Sequence, residues 1–195
     1  MTTLLVGLIL FFGVHSVSIV SRRWRDSMAS RIGPGVWRVL YSVVSLLGFY
    51  LIVRGYSLAR HDPVVLYQTP HVMRYVTAVL MLPVFPLLIA AYAPGRIKAA
   101  VKHPMLAATK LWALAHLLVN GTLADVLLFG GFLLWAAADR VAVSGRPAPA
   151  RQMFGGKERA RSKVPDVIAI VVGLALYVLF LGWAHVRLFG VVPTP

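Results

Sequence analysis

Six apolar stretches dominate this chain, and each is long enough, or nearly so, to cross the roughly 30 Å hydrocarbon core of a lipid bilayer. A backbone inside a bilayer must satisfy its own hydrogen bonds, and segments of this length do so as α-helices. The sequence therefore predicts an all-α fold, a polytopic transmembrane bundle of about six helices, organised as a single domain over residues 1–195. The predicted helices cover residues 3–21, 36–57, 73–92, 104–120, 122–139 and 166–189.

The amino-acid composition narrows the class of protein further. Hydrophobic residues make up 59% of the 195 residues and charged residues 13%, against about 45–50% and about 25% in soluble domains. The chain contains no cysteine. This excludes disulfides, Cys-ligated zinc, iron–sulfur clusters, a thiolate ligand to haem and a cysteine nucleophile, because each of them needs a Cys sulfur.

Basic residues set the expected orientation. The formal net charge is +14, and most of the Lys and Arg residues lie in or beside the first, third and fifth loops. The positive-inside rule places such loops in the cytoplasm, so both termini are predicted to lie on the outer side. This distribution explains the charge without nucleic acid, which is not an expected partner. The fifth loop, residues 140–165, is rich in Pro, Gly and basic residues and is predicted to be mobile.

The fourth apolar stretch is unusually polar for a membrane helix. Its ionisable and amide side chains are His103, Lys110, His116 and Asn120. A charge at the centre of a membrane helix costs roughly 2.5–3.5 kcal/mol, so such residues face protein, water or a ligand. Trp112, His116 and Asn120 are spaced by four residues and therefore share one helix face. An interhelical hydrogen bond of roughly 0.6–2 kcal/mol is the structural alternative for His116.

Histidines inside the predicted helices are the main candidates for chemistry. His15 lies in the first helix among apolar residues, where packing is the alternative to function. Two intramembrane imidazoles in a chain without thiols suit the iron of haem b. The predicted spans place His15 near one membrane face and His116 near the other. His185 lies closer to the depth of His116 than His15 does.

Two further residues are read as helix starts. His103 precedes Pro104, and proline is favoured in the first turn of a helix. Asp125 opens the fifth predicted helix and is a candidate for its N-terminal cap, with an ion pair to Lys110 as the alternative. His103 is also kept as an alternate cofactor ligand.

Several segments of the chain match the pattern of a known family. They are FGVH at 12–15, RVLYSVVS at 38–45, AYAPG at 91–95, HPML at 103–106, KLWALAHLLVNG at 110–121, LFG at 128–130 and WA at 135–136. On these segments the sequence resembles the NnrU family over nearly its whole length. The resemblance implies a protein of the bacterial inner membrane associated with denitrification and nitric oxide metabolism. The orientation predicted from the basic residues then puts both termini in the periplasm.

The NnrU family is in turn similar to the plant 15-cis-zeta-carotene isomerase, an integral membrane enzyme that holds haem b with histidines. The His-Ser and Leu-Ala-His segments of that enzyme correspond to His15-Ser16 and to residues 114–116 here. This likeness selects His15 and His116 as ligands of the haem iron, with Trp112 and Asn120 lining the pocket. It implies haem-dependent isomerase or oxidoreductase-like activity on a hydrophobic small molecule such as a polyene, or on a nitrogen oxide. Ala113 stands where that enzyme has a thiol, which puts its redox switching in doubt.

Two other classes of function remain open from the sequence. Lys102-His103-Pro104 resembles the start of the cofactor-binding helix of isoprenylcysteine-type membrane methyltransferases, but the acidic segment that follows there is missing here. A non-enzymatic membrane assembly factor, in which the histidines only pack helices, is the second alternative. In every case the lipid bilayer is the expected surrounding.

Overall fold

All the regular secondary structure in the described residues of the computed structural model is helical, apart from an isolated β-bridge between Val65 and Thr122. The model describes residues 1–93, 95–144 and 163–193. The α-helices are α1 (Thr2–Val20), α2 (Arg22–Ile32), α3 (Pro34–Ala59), α4 (Met73–Met81), α5 (Val84–Tyr92), α6 (Arg96–Val101), α7 (Pro104–Leu117), α8 (Leu123–Asp125), α9 (Gly131–Ser144), α10 (Val164–Leu179) and α11 (His185–Phe189). Short π-helical turns, Val126–Gly130 and Phe180–Ala184, join α8 to α9 and α10 to α11.

Five helical segments of the described chain are long and apolar enough to cross a membrane. They are α1, α3, α4 with α5 (Met73–Tyr92), α8 with α9 (Leu123–Ser144) and α10 with α11 (Val164–Phe189). The prediction of an all-α polytopic bundle is therefore confirmed. The predicted helix 104–120 is represented by α7, which has 14 residues. It extends over about 21 Å at the usual rise per residue, short of a full membrane crossing.

The structure adds helices where the apolar pattern indicated only loops. α2 follows α1 after a single residue, Ser21, whose hydroxyl oxygen accepts a hydrogen bond from the Trp24 N–H at 3.2 Å. Such a cap satisfies a backbone donor that the first turn of a helix leaves unpaired. α6 forms in the third loop, and the carboxylate of Asp166, from the distant helix α10, accepts the N–H groups of its first two residues. Of the predicted mobile loop, residues 140–144 end α9 and residues 164–165 begin α10, whereas residues 145–162 lie outside the described part.

Proline interrupts the third predicted span, as expected from its missing N–H. α4 ends at Met81 and α5 begins at Val84, with Pro83 between them. The Leu82 N–H bonds to the carbonyl of Val79 instead of Ala78. The Tyr177 hydroxyl of α10 donates to the Ala78 carbonyl at 3.0 Å. A side chain from another helix thus satisfies the backbone group that the proline break leaves over.

The helices form two compact units. The first comprises residues 1–67 and 121–143, and the second comprises residues 68–120 and 144–195. In the first unit α1 and α3 are in backbone contact: a Cβ added at Gly55 would lie 2.2 Å from the Leu4 nitrogen, and one at Gly48 would lie 2.8 Å from the Phe11 nitrogen. Small residues permit such close approach of membrane helices. The single-domain organisation expected from the sequence stays a prediction.

In the second unit α5 packs against α7 and α10. A Cβ added at Gly173 would lie 2.4 Å from the Pro86 nitrogen, so α10 also approaches its neighbour at a glycine. Asp166 at the start of α10 accepts hydrogen bonds from the Arg96 and Ile97 N–H groups, both at 3.0 Å. These contacts tie α10 to α5 and α6 within this unit.

Candidate functional site

His15 lies half-buried in α1 of the first unit. Its Nδ1 is 2.7 Å from the carbonyl oxygen of Phe11, one helical turn earlier. This hydrogen bond assigns the proton to Nδ1 and therefore leaves the lone pair on Nε2. No residue in the described part hydrogen-bonds Nε2. Histidine ligands of metals are commonly oriented by such an N–H bond to a backbone carbonyl.

Aromatic rings surround the His15 imidazole. The Phe11 ring stacks on it, with centroids 4.1 Å apart, while the Tyr41 ring lies at 5.3 Å and the Trp135 ring stands edge-on at 5.9 Å. Phe12 and Phe132 continue the aromatic contacts next to this group. The four side chains Phe11, His15, Tyr41 and Trp135 are called the His15 cluster below. They come from α1, α3 and α9, which places one imidazole among three aromatic side chains.

Trp135 contributes an unmet hydrogen-bond donor to the His15 cluster. Its indole Nε1 is buried and has no partner among the described residues. Leaving a buried donor unpaired costs about 1–3 kcal/mol. In native proteins such a donor calls for an explanation, of which a bound water or ligand is one. The His15 cluster therefore combines an unmet acceptor at His15 Nε2 with an unmet donor on a neighbouring ring.

His116 lies half-buried in α7 of the second unit, and it contacts both Trp112 and Asn120, which the spacing placed beside it. Its Nδ1 is 2.8 Å from the Trp112 carbonyl oxygen, and the two rings are 5.3 Å apart. The side-chain amide of Asn120 donates to the His116 carbonyl at 3.0 Å. Trp112 and His116 share a face of α7 as the spacing predicts, but Asn120 lies beyond the end of the helix at Leu117 and reaches back to it through its side chain. Asn120 uses its amide N–H to close the end of α7.

A contact from another helix supports the same helix end. The Val119 and Asn120 N–H groups both bond to the His116 carbonyl, so the Ala115 carbonyl has no such donor from this turn. The Thr77 hydroxyl of α4 donates to the Ala115 carbonyl at 2.9 Å. This bond fixes the turn of α7 that carries His116.

The Nδ1 bond to a carbonyl four residues earlier does not by itself mark a ligand. His61, which is exposed at the end of α3, makes the same bond to the Ser57 carbonyl at 2.9 Å. Any histidine in a helix has this carbonyl within reach. A candidate ligand is therefore distinguished from an ordinary helical histidine by the neighbours of its imidazole. Among His15, His61 and His116, only His15 lies beside a buried donor without a partner in the described residues.

The two alternate histidines occupy helix ends in the second unit. His185 begins α11 directly after the π-helical turn, and its Nδ1 lies 2.8 Å from the Val191 carbonyl oxygen. His103 is the N-terminal capping position of α7, with Pro104 in the first turn. Lys102 before it has φ of +64°, and the His103 N–H bonds to the Val101 carbonyl at 2.7 Å, which makes a γ-turn. The prediction that His103-Pro104 starts a helix is confirmed.

His15 belongs to the first unit and His116 to the second, and their pairing on one iron stays a prediction. Within residues 1–93, 95–144 and 163–193, no group of three or more His, Asp or Glu side chains converges in a way that suits a bare metal ion.

A hydrogen-bond network around Asp125 was only partly foreseen. Thr122 is the N-terminal capping residue of α8, and Asp125 at the third helical position exchanges a reciprocal pair of bonds with it, so Asp125 takes part in the cap without occupying the predicted capping position. Its carboxylate also accepts the Tyr56 hydroxyl at 2.6 Å, and its side chain is 5% exposed. The Thr-x-x-Asp spacing signals the cap, but no local pattern links residues 69 positions apart. Desolvation, followed by the charge of Asp125, raises the pKa of the nearby Tyr67 hydroxyl.

The segment after α3 is tied to the same network. The Leu66 and Tyr67 N–H groups bond to the Gly121 carbonyl, and the Leu123 N–H bonds to the Val64 carbonyl at 2.8 Å. A Cβ added at Gly121 would lie 2.0 Å from the Tyr67 carbonyl oxygen, so this position needs glycine. The network thereby clamps the beginning of the helix that carries Trp135.

Helices of this length and apolarity define a multi-pass, all-α membrane protein. The family model described as NnrU protein matches residues 3–193, and the chain belongs to the NnrU family. Neither the comparison with curated proteins nor the comparison with solved structures found a match. The likeness to 15-cis-zeta-carotene isomerase stays a prediction.

Proposed function

We propose that this NnrU-family membrane protein binds haem b through histidine, with His15 and His116 as the iron ligands. The observation that carries the proposal is the His15 cluster, in which Nε2 of an oriented imidazole has no partner within the described residues. Neutral imidazole is a common ligand of haem iron. Bound haem would supply one-electron chemistry.

The residues of the His15 cluster fit such a group. The rings of Phe11, Tyr41 and Trp135 offer apolar surface of the kind that a porphyrin buries. The unmet Trp135 N–H is a donor suited to a carboxylate, and haem b carries carboxylates at its edge. The residues of the His15 cluster would orient the imidazole and exclude water around it.

On this basis the protein acts in redox chemistry within the bacterial inner membrane. The substrate class is a nitrogen oxide, in keeping with denitrification, or a hydrophobic polyene that is isomerised through electron transfer. A hydrophobic substrate would reach the protein through the lipid, because five of its helical segments are apolar enough to lie there.

The test is the absorption spectrum of the full-length chain, purified in detergent after expression with added haem precursor. We expect a Soret band and about one haem per chain. His15→Ala and His116→Ala should each lower the haem content at least fivefold. His61→Ala is the matched control, because His61 makes the same Nδ1 bond on an exposed surface. Wild-type protein without haem would reject the proposal, and full function in cells of the His15→Ala/His116→Ala variant would favour an assembly factor.

We also propose that both termini face the periplasm. Arg22, Arg23, Arg25 and Arg31 in α2, together with Arg96 and Lys98 in α6, support a cytoplasmic location for these helices. Periplasmic location of both termini requires α7 and the turn after it to complete a crossing. Alkaline phosphatase fused at either end should be active. Activity at one end alone would instead indicate an odd number of crossings.

A further inference from the structure

α2 is held at the surface of the membrane by its neighbours in the chain. It lies between α1 and α3, which are both long and apolar enough to cross a bilayer. Ser21 is the single residue between α1 and α2, and Gly33, with φ of +87°, is the single residue between α2 and α3. One residue extends over at most about 3.6 Å. α2 therefore stays at the depth where two spans end, which is the level of lipid headgroups.

The faces of α2 differ in burial and in chemistry. Arg25, Met28 and Ala29 are half-buried and follow a helical spacing, consistent with the packing of α2 against α1 and α3. Arg23, Trp24 and Arg31 are exposed. The Trp24 ring meets the Trp37 ring of α3 edge-on at 6.3 Å while remaining 53% exposed. Tryptophan is enriched at membrane–water interfaces because its ring is apolar and its N–H is polar.

α2 carries more positive charge than it neutralises. Asp26 is its acidic residue, and it serves both Arg22, at 3.7 Å, and Arg25, at 3.1 Å. Arg23 and Arg31 make no ion pair with any described residue. The Nε of Arg25 is also buried without a partner in the described part of the chain. Arg23 and Arg31 therefore have guanidinium donors that are available to an anion not supplied by the described residues.

We propose that α2 lies along the membrane surface and binds the phosphate of an anionic phospholipid through Arg23 and Arg31, with Trp24 at the level of the glycerol backbone. The occupant is a lipid because both junctions hold α2 beside the bilayer. It is anionic because one carboxylate is set against four guanidinium groups. Guanidinium pairs well with phosphate, since its planar donors match two phosphate oxygens. This site is separate from the histidines and does not rest on haem binding.

The test uses the full-length protein in neutral detergent micelles, titrated with phosphatidylglycerol or phosphatidylcholine while thermal unfolding is followed. We expect saturable stabilisation by phosphatidylglycerol and much less by phosphatidylcholine. Each basic residue near an anionic surface contributes about 1 kcal/mol, which is about fivefold in affinity. The Arg23→Gln/Arg31→Gln variant should therefore need about 25-fold more phosphatidylglycerol for half the effect.

The matched control is Arg74→Gln/Arg187→Gln, which removes two exposed positive charges outside α2. It should leave the titration unchanged, and Arg23→Lys/Arg31→Lys should retain most of the affinity. An equal loss in the control would attribute the effect to net charge and overturn the proposal. Glycerol phosphate in free solution should give no stabilisation at the same concentration, and an equal effect from it would exclude lipid as the specific occupant.

A second measurement does not depend on the folding of an arginine variant. Phosphatidylglycerol brominated near the glycerol backbone should quench the tryptophan fluorescence of the wild-type protein more than that of the Trp24→Phe variant. Equal quenching of the two proteins would place Trp24 away from the lipid and contradict the proposal.

Discussion

The His15 cluster and the His116 face present the same residue in two different surroundings. Both imidazoles direct Nδ1 at a carbonyl one turn earlier in their own helix. The neighbours of His15 come from three helices and include an unmet donor. Spacing assigned two neighbours to His116. These are Trp112, which lies in the same helix, and Asn120, which lies just after its end. The packing around His15 thus joins three helices, whereas the predicted neighbours of His116 lie within four positions of it in the chain.

The largest loss of stability is expected from disrupting the close contact between α1 and α3 in the unit that holds His15. Gly55→Leu would place side-chain atoms where the Leu4 backbone lies, because even a Cβ there is 2.2 Å from its nitrogen. We expect the stability of the first unit to fall by about 3 kcal/mol or more. The measurement is thermal unfolding in detergent. Gly13→Ala is the control, since a Cβ at Gly13 meets nothing within 4 Å; a similar loss in both variants would contradict the role assigned to the α1–α3 contact.

The next effect tests whether the Asp125 network supports the helix that carries Trp135. Asp125→Ala would leave the Tyr56 hydroxyl and the Thr122 N–H without their acceptor. Hydrogen bonds to charged groups contribute about 1.5–3 kcal/mol, so we expect a loss of about 3 kcal/mol. Asp166→Ala, which removes a more exposed cap in the second unit, should cost about 1 kcal/mol. The free energy of unfolding is measured by chemical denaturation. Equal losses in the Asp125→Ala and Asp166→Ala variants would show that the burial of Asp125 contributes nothing to stability.

A smaller effect on stability is expected from removing the unpaired Trp135 donor of the His15 cluster. Trp135→Phe removes the unmet donor of the His15 cluster and keeps an aromatic ring. In protein prepared without haem we expect stability to be unchanged or raised by about 1 kcal/mol, because an unpaired buried donor is lost. In haem-loaded protein the same change should lower haem retention. Trp112→Phe, which alters the His116 face, is the comparison variant, and equal haem retention by Trp135→Phe and the wild-type protein would contradict a contact between this N–H and haem.

The smallest effect concerns the end of α7. Asn120→Ala removes the side-chain donor to the His116 carbonyl but leaves the backbone N–H bond in place. We expect a loss of about 0.5–1 kcal/mol and faster hydrogen exchange at residues 116–120. Thr109→Val is the control, because the Thr109 hydroxyl bonds to a carbonyl of its own helix. Unchanged exchange at residues 116–120 would show that Asn120 does not hold the helix end.

Features with a local pattern were predicted well. The apolar stretch 3–21 corresponds to α1 at Thr2–Val20, and α7 starts after His103 as predicted. Asp125 takes part in the cap of α8, although the capping residue itself is Thr122. The sequence did not predict α2, because the arginine-rich segment 22–32 is polar and lacks the long apolar run that indicates a membrane helix.

Features without a local pattern required the structure. Tyr56 meets Asp125 across 69 positions, and Tyr177 meets Ala78 across 99. The close approach of α1 and α3 depends on Gly48 and Gly55 facing α1, and spacing alone does not select the helix that they face. The sequence indicated His15 as a candidate, but the rings around it and the unmet Trp135 donor were not foreseen.

Local patterns in the sequence were enough to predict an all-α membrane protein, its long apolar helices, and the shared face of Trp112 and His116. These properties depend on hydrophobic length and on a period of 3.6 residues, both of which operate over neighbouring positions. The contacts of His15 with Tyr41 and Trp135 are found only in the tertiary structure, because they join segments far apart in the chain. Close packing selects such partners by shape, and shape is complete only when the helices have come together.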